Sequence, residues 1–324
     1  MAKKAIITLT TVSIIVLGLL AIVSGFLFLD ALFYPSTEEV AKAPSKTVTV
    51  DGVDYYPRQD VTVLMLMGID ERGEVKASDS YNNTGEADMV ALALFDEVDE
   101  TYSVLVLNRD TMMDLHVLGI GGKPAGTIYG QLALAHTYGT GLEDSCELTV
   151  RTVSDFLSGV NVDYYISMNM DAIAILNDAV GGVTVNVQDD FSMVDSSIPM
   201  GEFTLKGEQA LTYVQTRKDV GSQMNISRME RHKEYMQNFV TAFNTKVKED
   251  DSFVLDVYSD VEPYIVTDCS IKSLSSMFSR YADYELKDII TPEGENVLTG
   301  DYMEFYVDEE ALDKLILDWF YAEK

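Results

Sequence analysis

Hydrophobic and polar positions along the chain change period several times. Ala5 to Leu29 is an uncharged run of aliphatic, small and hydroxyl residues, and Pro35 to Gln59 is polar and mixed, broken by Pro35, Ser36, Pro44, Ser45 and Pro57. Such a stretch reads as a linker, so folded structure is expected from about Asp60. Val61 to Met67 is a short apolar strand bounded by Gly68. Asp88 to Phe95 and Thr101 to Leu107 read as strands joined by the acidic turn Asp96 to Glu100, a hairpin. Cys146 to Leu157 and Asp171 to Val180 are predicted helical, the second stopped by Gly181 and Gly182, with Tyr164 to Met168 and Val183 to Val187 extended. Further helices are expected over Gly207 to Thr216, Ser227 to about Lys248, Ser252 to Tyr258, Ile271 to Tyr281 and Glu309 to Phe320, and short strands over Leu286 to Ile290 and Tyr302 to Val307. This alternation predicts an α/β fold, a mixed sheet layered between helices.

The apolar run sets the topology. A bilayer core needs about 20 helical residues, which Ala5 to Leu29 supplies. A cleaved signal peptide has an apolar core of about 7–15 residues and a small-x-small exit, whereas this run is longer and ends in Phe26, Phe28 and Leu29. Lys3 and Lys4 precede it and mostly acidic sequence follows, favouring a cytoplasmic N-terminus. The predicted organisation is therefore a cytoplasmic N-terminus over 1–4, a transmembrane anchor over 5–29, an extracytoplasmic linker over 30–59 and one domain over 60–324. No internal repeat or second linker interrupts that domain.

Charge narrows the partners. In 324 residues, 53 Asp and Glu stand against 23 Lys and Arg, a formal net charge of -30. Without a basic face such a chain repels nucleic acid. Cys146 and Cys269 form no C-x-x-C pair; either one disulfide or two buried thiols fits their spacing.

Of eight arginines, Arg72, Arg109, Arg217, Arg228 and Arg231 fall beside predicted strand or helix ends. Partners across a hairpin sum to a constant, and a turn centred on Val98 puts Asp88 almost opposite Arg109 and Asp110. Asp70 and Arg72 reach the same edge if Val61 to Met67 runs parallel to Thr101 to Leu107. Oxygen ligands such as Asp70, Asp88 and Asp110 suit Mg²⁺, which takes one or two carboxylates plus substrate phosphates. Guanidinium forks suit the phosphates themselves. Ser227 and Glu230 are spaced as a capping box, with Arg228 and Arg231 in the following turn and His232 on the face of Arg228. Cations there oppose the helix dipole unless an anion lies between them. Alternatively, the arginines pair with surface carboxylates at about 0–1 kcal/mol each.

Nucleophile elbows, H-E-x-x-H and Walker loops are absent; Gly119 to Pro124 has the wrong spacing and reads as a turn. His116 and His136 are isolated and read as structural.

Met67-Gly68-Ile69-Asp70-Glu71-Arg72, then Ala87-Asp88-Met89 and Asn108-Arg109-Asp110-Thr111, resemble the first signature blocks of the LytR-CpsA-Psr family. Ala135 to Gly139, Asp163 to Tyr165, Ala179 to Val183, Gly207 to Leu211 and Arg228-x-x-Arg231 follow in the family's order, and the anchor is also typical. The resemblance implies a transferase that moves a glycopolymer from a polyprenyl-pyrophosphate carrier onto peptidoglycan through a phosphodiester, with Mg²⁺ or Mn²⁺ as cofactor. Carried over by position, Asp70 and Asp88 would hold the metal. Arg72, Arg109, Arg217 and Arg228, with Arg231 and His232 nearby, would bind the pyrophosphate. Asp110 would either orient Arg109 or take the acceptor's proton. The chain departs from the family pattern at Gln215, commonly arginine, at His232, commonly glutamine, at Asn108, commonly proline, and at Ser222 or Asn225, where an acid is often found. These departures leave open a non-catalytic binder of polyprenyl phosphates or a hydrolase acting on the same donor.

Overall fold

The computed structural model describes residues 47–324 except 51, 217–219, 221–224, 251, 301 and 324, and the side chains of 225–230 also fall outside the described set. The predicted anchor over 5–29 lies outside these residues, and no helix among them is long and apolar enough to cross a membrane.

The described chain opens on β1 (Val48–Val50) and β2 (Val53–Pro57), turned at Gly52 with φ +82°. Then come β3 (Val61–Ile69), β4 (Ala87–Asp96), β5 (Thr101–Leu107) and a hairpin of β6 (Met112–Leu118) and β7 (Pro124–Gln131). A 3₁₀ helix (Leu132–Tyr138) leads to α1 (Glu143–Phe156), β8 (Tyr164–Asn169), α2 (Asp171–Ala179) and the pair β9 (Val183–Val187) and β10 (Gly201–Leu205). Helices α3 (Glu208–Gln215), α4 (Asn225–Glu249) and α5 (Phe253–Val261) precede β11 (Ile265–Thr267), α6 (Ile271–Tyr281) and β12 (Glu285–Ile290). The hairpin β13 (Gly294–Thr299) and β14 (Tyr302–Val307), α7 (Glu309–Phe320) and β15 (Tyr321–Glu323) complete it.

The main sheet is six-stranded and mixed, in the order β11-β8-β3-β4-β5-β12. β3 runs parallel to β8 and β12 parallel to β5, while β4 lies antiparallel between β3 and β5. Strand alternation sends side chains to both faces. On one, Met65, Met67, Leu92 and Leu105 pack with Leu132 of the 3₁₀ helix, Cys146 and Val153 of α1 and Ile316 of α7. On the other, Leu64, Ala93 and Phe95 meet Leu274, Met277 and Tyr281 of α6, with Phe95 and Tyr281 stacked at 4.2 Å. A further core joins β9 and β10 to α3, α4 and α5. The predicted layered α/β architecture is therefore present.

Two expectations are corrected. Structure begins before Asp60: β2 pairs with β15, and Arg58 ties this edge down, its guanidinium bonded to Asp60 and to Asp96 at 2.7 Å and its N–H donating to Phe320 O at 2.9 Å. The alternation Val48, Val50, Val53, Tyr55 was masked by the prolines on either side. Helix α4 starts at Asn225, two residues ahead of Ser227, so Ser227 lies within the helix. Cys146 and Cys269 are free and buried, and burial pushes both thiols above their usual range.

Candidate active site

β3, β5 and β8 all end, and β4 begins, along one edge of the main sheet. The pairing of Val90 with Leu107 continues to the positions of Asp88 and Arg109, and their side chains meet: Arg109 Nη1 donates to Asp88 Oδ1. Its Nη2 donates to Glu86 Oε2 at 2.6 Å, while Nε lies 3.6 Å from Asp110 Oδ1, beyond hydrogen-bond range. The Arg109 side chain is 24 % exposed, so the guanidinium is held yet open to ligand.

Each piece of this cluster is positioned from beneath. Asn108 caps its own turn, its Oδ1 accepting from Asp110 N–H at 3.0 Å and its carbonyl from the Thr111 hydroxyl at 2.6 Å. Gln131 at the end of β7 donates to Asp110 Oδ1 at 3.2 Å. The approach to β4 is bound to the 3₁₀ helix: Asn83 Nδ2 donates to His136 O at 2.8 Å and Gly139 O at 3.0 Å, and His136 Nδ1 donates to Gly85 O at 2.9 Å. Gly85 has no room for a side chain, since a Cβ there would stand 2.8 Å from Ile69 Cγ2. His136 is thus a buried strut beneath the rim, as its isolation suggested.

From β3, Asp70 is exposed and its backbone N–H bonds to Glu86 O at 2.9 Å, which places it beside the start of β4. Arg72 is 55 % exposed and pairs with Asp171 at 2.8 Å and Glu208 at 3.2 Å, carboxylates in the first turns of α2 and α3. One strand separates β3 from β5, so the strand ends that lead to Arg72 and Arg109 lie about 10 Å apart at the sheet edge.

Arg217, and the side chain of Arg228 in the first turn of α4, lie outside the described residues, as do Ser222 and the side chain of Asn225. Gln215 is exposed at the end of α3. Arg231 points into the fold: it is 5 % exposed, donates to Tyr213 O at 3.0 Å and Thr216 O at 2.6 Å, pairs with Asp189, and covers the Phe191 ring at 5.4 Å. Those bonds brace the chain just ahead of Arg217, and they account for Arg231 without a phosphate. His232 Nε2 donates to Val214 O at 2.5 Å and is exposed.

The rim is carboxylate-rich: Asp70, Glu86, Asp88 and Asp110 outnumber Arg109. An anion entering such a field needs more positive charge than Arg109 carries. Oxygen-only donors in excess suit a hard cation, and no group of three His, Cys, Asp or Glu side chains able to hold a metal lies among the described residues. Sequence reading missed Glu86, which lies just ahead of β4, where a bulge at Asp88 interrupts the period-two pattern. It also missed Asp171, Glu208 and Gln131, whose approach to the site depends on chain crossings that leave no local pattern.

Comparison with known proteins gives a consistent picture. Residues 30–317 match the model of the LytR_cpsA_psr family. A polyisoprenyl-teichoic acid–peptidoglycan teichoic acid transferase TagU of Oceanobacillus iheyensis is 27% identical over 284 residues, covering 83% of this chain and 79% of its own. The TagU of Bacillus subtilis is 28% identical over 241 residues, covering 74% and 70%. Among solved structures, TagT bound to LI-WTA aligns with a TM-score of 0.60 at 22% identity over 81% of this chain and 90% of that one, a likeness of fold.

Proposed function

Because the chain belongs to the LytR_cpsA_psr family, we propose that it is a membrane-anchored, Mg²⁺-dependent phosphotransferase that moves a glycopolymer from a polyprenyl-pyrophosphate carrier onto peptidoglycan through a phosphodiester. The observation that carries this reading is Arg109, held between Glu86 and Asp88 with Asp110 alongside on an exposed sheet edge. The TagU relatives, named as teichoic acid–peptidoglycan transferases, support the substrate class.

Arg109 and Arg72 grip the donor's diphosphate, joined by Arg217 and Arg228, which follow α3 and open α4 in the chain. Asp70 and Asp88 are the residues that would hold Mg²⁺, whose chemistry there is neutralisation of phosphoryl oxygens and of the leaving phosphate. The acceptor hydroxyl oxygen forms a bond to the phosphorus next to the glycan, the bond to the polyprenyl phosphate breaks, and polyprenyl monophosphate departs. Glu86 and Asp88 already orient Arg109, and the 3.6 Å separation makes Asp110 a weak partner for it. Asp110 is therefore assigned to the acceptor's proton, which passes on to solvent. Positioning and charge supply most of the acceleration.

The test is transfer by full-length protein in detergent. Asp88→Asn and Arg109→Ala are each expected to lower turnover by about 10²–10³ while circular dichroism stays unchanged. Transfer at the wild-type rate in both overturns the site. Gln215, exposed where relatives commonly carry a cation, favours a second reading as a lipid-phosphate binder without turnover; donor retained on the protein with no product in any donor–acceptor combination is its signature.

A further inference from the structure

Next to the rim lies a second surface of different chemistry. Phe305 N–H donates to Asp110 O at 2.8 Å, and Gln131 Nε2 donates to Met303 O at 2.6 Å while also reaching Asp110 Oδ1. These bonds join the hairpin β13–β14 and the end of β7 directly to the proposed proton acceptor. Pairing in β13–β14 sets Tyr302, Glu304 and Tyr306 on the face opposite the buried Phe305. On β7, Tyr129 is two residues from Gln131 and shares its face.

Three tyrosines there are open to solvent, Tyr129 at 61%, Tyr302 at 71% and Tyr306 at 41%. They are not loose ornaments of a loop. Glu304 accepts from Tyr306 OH at 2.7 Å and from the Thr299 hydroxyl at 2.8 Å, and β14 packs beside β6, the strand that pairs with β7.

Exposed aromatic faces held on strands are suited to being covered by a ligand. Flat rings stack on the C–H faces of pyranose sugars, and phenol and carboxylate groups hydrogen-bond to sugar hydroxyls. Glu304 and, opposite Tyr129 in the pairing, Asp114 give the surface negative charge, which repels a phosphate-bearing polymer. The surface is thus matched to a sugar strand without phosphates and mismatched to the donor.

We propose that Tyr129, Tyr302 and Tyr306 form the acceptor subsite, a platform on which a peptidoglycan glycan strand lies with one hydroxyl directed to Asp110. This rests on the transferase reading for its purpose, but its binding component can be measured without turnover. Full-length protein in detergent is sedimented with peptidoglycan sacculi stripped of teichoic acid, with no donor present. Wild type is expected to sediment with the sacculi, while the triple variant Tyr129→Ala/Tyr302→Ala/Tyr306→Ala loses about tenfold or more in affinity. The triple Tyr→Phe variant, which keeps the rings, is expected to recover most of it. In transfer assays the alanine variant should raise the KM for acceptor with donor binding unchanged. Equal sedimentation of the alanine variant and wild type, or no sedimentation of wild type, overturns the platform. Absence of transfer with tyrosine-dependent sedimentation intact would instead count against the transferase reading alone.

Discussion

A buried imidazole with one hydrogen-bond partner has a pH signature. His136 is 2% exposed, donates from Nδ1 to Gly85 O, and its Nε2 faces no partner among the described residues. Burial lowers its pKa below the ordinary 6.5, against smaller opposing effects of the Gly85 bond and Asp144. The unfolded chain therefore binds the proton more readily. Stability from this group is present above pH 6.5 and is lost as pH falls through 6.5 toward the lower folded value. Thermal melts from pH 7.5 to 5 should show a fall in Tm that is smaller in His136→Asn, whose amide can keep the bond to Gly85 without titrating. Identical pH profiles would contradict this role. At this scale Asp88 and Arg109 were legible in the sequence because hairpin register is arithmetic. Arg231 was not, since spacing places a cation near a helix start without saying whether it faces solvent or core.

At the scale of elements, Arg231 and Asp189 fasten α4 to the chain following β9. Their side chains are 6% and 14% exposed, so removing Arg231 leaves the Asp189 carboxylate buried without that cation. Arg231→Met is expected to destabilise by about 3–5 kcal/mol in urea unfolding, and Asp189→Asn added to it to recover part of that loss. Additive losses would show that the pair is not coupled. Long elements such as β3, β4, α1 and α4 could be read from period alone. The hairpins β6–β7 and β13–β14 were mostly missed: β13 is exposed at every position and β7 nearly so, which leaves no apolar alternation to detect. Those two hairpins also carry the tyrosine platform.

Across the whole described molecule, β2 and β15 close the fold by pairing Pro57 with Tyr321, near opposite ends of the chain. Arg58 continues that closure to Asp96, and with both Asp60 and Asp96 titrating below their usual values the contribution is present at neutral pH and lost as pH falls below 3.8. A chain spanning 47–324 should therefore melt above one spanning 60–324, by roughly 5–10 °C for a loss of about 2–3 kcal/mol; equal melting would mean that the edge is ornamental. Pairings between such distant segments leave no trace in local composition. The order of motifs from Asp70 to Arg231, by contrast, carried the family assignment. The central claim is metal-dependent transfer at that rim. Its most direct measurement incubates the full-length protein in detergent with a polyprenyl-pyrophosphate-linked glycopolymer and peptidoglycan fragments, with and without Mg²⁺, and identifies products by mass spectrometry. A phosphodiester-linked conjugate formed only with Mg²⁺ is the predicted result; donor that stays bound and unconverted in both conditions would contradict it.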